Sequence, residues 1–279
     1  MSTDDGHGVP APATVIHRAH GRQAITELLA RQDAVRPRGR LARIFGLSPL
    51  DETSAPWFWS AVGMLEVGSA LDGLPPEFRV FHSLPGPSLG DEEPIGIDHL
   101  VIGPPGVFTV SVHNHTREHV WASRRDFVVD GHRLPYVRWA EAGVGYVERM
   151  LSVASDTRVS AAAIIAVIDP ATLTVGKLPR DVQVVRAGSL PSWFGGREPV
   201  LDPTTVETIA AAAEHPDTWP ASEADASGKT QSERERFDQL RRQVSSARTV
   251  RSLWVIAVAA TVSGVLVAVG ILQLLHSSQ

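Results

Sequence analysis

Residues 97–115 read IDHLVIGPPGVFTVSVHNH, two apolar runs joined by Gly103-Pro104-Pro105-Gly106, a tight turn that makes them a β-hairpin. Side chains alternate along a strand, so in the second run Phe108, Val110 and Val112 share one face and Thr109, Ser111 and His113 share the other. The first run brings Asp98 to the neighbouring rung. Working outward, the hairpin strands extend over 95–102 and 106–113, with further strand candidates at 78–83 (FRVFHS) and 127–130 (FVVD). A helix is expected over 57–71, ending at Gly73 before Pro75 and Pro76, which cannot continue it. Downstream lie a helix over 136–155, the apolar strand VSAAAIIAVI, a short strand at 182–186 and a helix at 203–214. The near-continuous apolar run suits an interior strand covered on both faces. The pattern is α/β, on a segment of about 165 residues, long enough to bury its own core.

The whole chain has 279 residues, with 26 basic and 31 acidic side chains and a formal charge of -5. It has no cysteine, which excludes a disulfide framework, a thiolate metal site and a thiol nucleophile. Residues 1–55 are expected as a basic, largely disordered arm in which Arg31, Arg36, Arg38, Arg40 and Arg43 form a run, with one short helix at 22–31. Residues 56–219 form the α/β domain. A stretch without large apolar residues, PASEADASGKTQ, opens a linker and juxtamembrane helix over 220–252. The apolar segment at 253–275 is expected to be a transmembrane helix, with 276–279 as a short tail. Arg241, Arg242, Arg248 and Arg251 precede it, so the positive-inside rule predicts a single-pass, tail-anchored protein of the cell membrane with its N-terminal domain cytoplasmic. Ala260, Gly264 and Ala268 have the small-residue spacing that lets two such helices approach, which suggests a homodimer.

The stretch IDHLVIGPPGVFTVSVHNH, then DFVVDGHRLPYVR, a helix, an apolar strand, VQVVRAGSLPSW and LDPTTVETIAAAA, resembles the nuclease-related domain (NERD) family in its actinobacterial form. The resemblance covers about 57–219 in order. It implies a PD-(D/E)xK nuclease-like mixed sheet flanked by helices, and a site for metal-assisted phosphodiester cleavage in which carboxylates hold Mg²⁺ or Mn²⁺ and a lysine stabilises charge. Carried over position by position, Asp98 is the only family acid retained. The second acid falls at Ser111, the lysine at His113, and the first-helix glutamate at Met64.

A single carboxylate makes a poor Mg²⁺ site, and loss of the lysine removes transition-state charge stabilisation. The expectation is therefore a pseudoenzyme without a cofactor, a binding or scaffold module for nucleic acid or protein. The alternative is an altered metal-dependent nuclease using Asp98, with His113 in place of the lysine. A rebuilt metal site is a third reading: His113, His115 and His119 follow one another closely, with Asp98 and His99 on the adjacent strand, and imidazole suits Zn²⁺, Ni²⁺ or Cu²⁺. Phosphate-cradling glycine loops and a serine nucleophile elbow are absent. Arg124, Arg125, Arg133 and Arg138 are the best local candidates for phosphate contact.

Overall fold

The computed structural model describes residues 22–34, 38–90, 95–220 and 230–277, and the chain divides into two compact units. The first is built on residues 58–228; the second combines residues 25–57 with 229–279.

In chain order the elements are α1 (Arg22–Asp33), α2 (Arg40–Ile44), α3 (Ala55–Asp72), β1 (Arg79–Leu84), β2 (Ile97–Gly103), β3 (Gly106–Asn114), β4 (His119–Ser123), β5 (Asp126–Val129), β6 (His132–Leu134), α4 (Tyr136–Ser155), β7 (Ala161–Ile168), β8 (Thr172–Val175), β9 (Val182–Arg186), α5 (Leu190–Gly195), α6 (Pro203–Glu214) and α7 (Thr230–Ser277).

The first unit carries a mixed five-stranded sheet in the order β1-β2-β3-β7-β9. β1, β2 and β3 run antiparallel, and the Gly103↔Gly106 pair closes the expected hairpin. Gly106 has φ +131°, a conformation that a side chain disfavours. β7 and β9 then continue the sheet in parallel, with α4 supplying the crossover between β3 and β7.

Both faces are covered. On one, Val67 and Leu71 of α3 cluster with Phe108, Val110 and Val112 of β3, Ile164 and Ala166 of β7, and Phe194 of α5. On the other, Leu100 and Ile102 of β2 meet Val147 and Leu151 of α4 and Ile209 and Ala213 of α6. The buried positions of α4, among them Val137, Ala140, Val144, Val147 and Leu151, recur every three or four residues and so form one stripe. A smaller four-stranded sheet, β6-β5-β4-β8, packs Val120, Phe127 and Val129 against Val137 and Val144 of α4 and Ile165 and Val167 of β7.

In the second unit Ile25, Leu28 and Leu29 of α1 are buried, as are Phe237, Leu240, Val244 and Ala247 of α7. Thr26 donates to Glu233 at 3.3 Å, Arg236 pairs with Asp33, and the indole of Trp254 donates to the Ile44 carbonyl at 2.8 Å. Where described, the basic run expected in a disordered arm lies on or beside α1 and α2; Arg36 and residues 1–21 are outside the described residues, as is most of the linker, 221–229.

The expected transmembrane helix is corrected by this structure. Among the described residues no helix is long and apolar enough to cross a membrane. The expected segment is the far part of α7, whose nearer part is the charged run SERERFDQLRRQ. Its continuously described side chains, 253–261, cover about half of the roughly 20 apolar residues a span requires. The integral membrane partnership, the single-pass topology and the cell-membrane localisation with a cytoplasmic domain all lose that support. Of the expected dimer stripe, the side chains of Gly264 and Ala268 are outside the described residues.

Candidate functional site

Asp98 stands where the pairing of β2 with β3 stops. The last paired rung is His99↔Val110, so the amide of Val112 has no carbonyl opposite it on β2. The carboxylate of Asp98 fills that gap, accepting the Val112 N–H at 2.8 Å through Oδ2. Burial pushes this carboxyl up to about 7, and the hydrogen bond from Val112 only partly opposes the shift. Near neutral pH Asp98 is therefore divided between acid and carboxylate, and the hydrogen bond it accepts from Val112 closes the end of the β2–β3 pairing.

Alternation places Asp98 with Leu100 and Ile102 on the sheet face that also carries Thr109, Ser111 and His113 of β3. Met64 packs into the cluster of Phe108, Val110 and Val112, on the opposite face. The positions marked by the family resemblance are thus split by the sheet, and Asp98 is the only carboxyl group among them.

His113 lies flat on Tyr136 at the start of α4, with ring centroids 3.6 Å apart and planes 13° from parallel. Burial, with the neighbouring His115 adding to it, holds the imidazole down to about 3. At pH 7 the ring is therefore neutral. A neutral ring cannot reproduce the field of a lysine ammonium, which weighs against His113 as its replacement.

The remaining histidines of the run face different partners. His115 is buried, its Nδ1–H donates to Glu118 Oε2 at 2.7 Å, and its Nε2 has no hydrogen-bond partner among the described residues. His119 reaches Thr172 on β8, at 2.9 Å. His99 alternates onto the α3 face, where its Nδ1 is 2.7 Å from Nδ1 of His82; His82 Nε2–H in turn donates to Asp72 at 3.0 Å. Two ring nitrogens at that distance share a single proton.

Among the described residues no three His, Cys, Asp or Glu side chains come together so as to hold a metal ion. The donor set at Asp98 does not fit Mg²⁺ either, which needs oxygen ligands beyond one desolvated carboxyl group. Tyr136 and Glu118 are the members of this cluster that sequence reasoning did not single out as partners of the histidines. Burial first, and then the charge of Glu118, keep the Tyr136 phenol above its ordinary pKa and hence neutral. The Pro135-Tyr136 step at the helix start is the one local clue to its position.

No protein-family model matches this chain, and no curated protein or solved structure matches it either.

Proposed function

We propose that the first unit is a nuclease-like domain of NERD type that has lost its hydrolytic centre and binds nucleic acid without cutting it. The reading is carried by Asp98, a desolvated carboxyl engaged by a backbone amide, with Ser111, His113 and Met64 supplying neither a second acid nor a cation. The mixed sheet with helices on both faces supports the resemblance on which the nuclease comparison rests. Hydrolysis would require a bound divalent ion and charge stabilisation worth several kcal/mol, for which this face offers no set of side chains among the described residues.

The test is a cleavage assay on the full chain with plasmid, linear DNA and RNA in Mg²⁺ or Mn²⁺. The expected result is no product above that of Asp98→Ala. Cleavage that disappears in Asp98→Ala overturns the reading.

A further inference from the structure

The turn between β4 and β5 places Arg124 and Arg125 beside the segment that follows β8. Arg124, at φ +54°, donates its backbone N–H to the carbonyl of Lys177, and Gly176 donates to the carbonyl of Ala122 at 2.8 Å. These bonds fix both basic segments at one end of the smaller sheet. Arg124, Arg125, Glu141, Lys177, Leu178 and Pro179 line a depression of about 450 Å³ there.

The charges in it do not cancel. Glu141 accepts from Arg125, with a closest approach of 3.1 Å, which holds that guanidinium in place. Arg124 and Lys177 have no ion pair among the described residues. Both are solvent-exposed, and like charges held on neighbouring segments repel each other, a repulsion that an anion between them relieves.

The exposed face of the same sheet leads away from this end. Trp121 is 44% exposed, although its neighbours Val120 and Ala122 are buried, and the strand registers align Arg133, Val128, Trp121 and Thr174 in one row. Trp121 precedes Arg124 by three residues in the chain, and an exposed indole together with exposed cations is the composition that single strands use, stacking for the bases and cations for the backbone.

We propose that the depression formed by Arg124, Arg125 and Lys177 is a phosphate-binding site that takes the backbone of a single-stranded nucleic acid whose bases stack on Trp121. The site is separate from Asp98 and deepens the proposed nucleic-acid binding, on which the identity of the phosphate donor rests.

The experiment measures anisotropy of a labelled oligothymidylate with the full chain at several salt concentrations, and, in a second arm, calorimetry with inorganic pyrophosphate. Arg124→Ala combined with Lys177→Ala should weaken oligothymidylate binding at least about ten-fold and reduce the salt slope by about 1.4. Trp121→Ala should weaken it about ten-fold with the slope kept. Arg124→Lys with Lys177→Arg retains the charge and should keep the slope, with circular dichroism checking the fold of every variant. Oligothymidylate binding that survives the double alanine variant overturns the site while leaving nucleic-acid binding by the domain intact. Pyrophosphate binding alone, lost in that variant, upholds a phosphate site but overturns the strand as its source and, with it, the nucleic-acid reading. Binding of neither probe overturns the proposal.

Discussion

Moving Asp98 from water into the fold costs more for the carboxylate than for the acid, so the folded state holds this proton more tightly than the unfolded chain does. Its contribution to stability is fully present below about pH 4 and is lost as pH rises to about 7. Asp98→Asn keeps an acceptor for the Val112 amide and removes the titration. Urea unfolding should find it about 4 kcal/mol more stable than the parent near pH 8, a gap that closes towards pH 4. A gap that widens on acidification would refute the burial of this carboxyl. His113 acts in the opposite sense: its folded pKa is depressed, so its contribution is present above about 6.5 and is lost as pH falls towards 3. His113→Phe keeps a ring over Tyr136, and its urea midpoint should drop less than the parent's between about pH 7 and 4. Equal drops would show that His113 charges as freely as in water.

At the scale of elements, the 103–106 turn and the buried face of the smaller sheet are the places where a single change should tell most. Gly106→Ala must hold φ +131° with a Cβ present, and is expected to lower stability by about 1 to 3 kcal/mol by urea unfolding. Phe127 is fully buried between the smaller sheet and α4, and Phe127→Ala should cost about 3 to 5 kcal/mol in the same measurement. The turn was legible in the sequence because its glycines and prolines are local instructions, and α4 and α6 were legible because their apolar stripes have a helical period. β4, β6 and β8 were not. They are short strands, and β8 finds its partner β4 about fifty residues away in the chain, so local pattern carries little of the information. Trp121 adds to the difficulty, because a large apolar side chain on a strand reads as core and here faces outward. The site was legible only in part. Alternation correctly put Ser111 and His113 together, whereas the stacking of His113 on Tyr136 and the pairing of His99 with His82 depend on elements that meet only in the folded unit.

For the whole molecule, the two units are assembled from interleaved stretches of chain, since residues 25–57 and 229–279 belong together although the first unit separates them in sequence. Read linearly, the C-terminal segment invited a membrane span and the N-terminal one a disordered arm. The described parts of both carry helices, α1 and α2 in the arm and α7 at the C-terminal end, with α1 and α7 joined by Thr26–Glu233 and Arg236–Asp33. The proposed function turns on whether Asp98 is a structural carboxyl or a metal ligand. The most direct measurement is an NMR titration of the Asp98 carboxyl carbon in the full chain, with and without Mg²⁺. An apparent pKa of about 7 that Mg²⁺ leaves unmoved is the expected result. A midpoint near the ordinary carboxylate range would contradict the desolvation of Asp98, and one that Mg²⁺ drives downward would make Asp98 a metal ligand and contradict the loss of the hydrolytic centre.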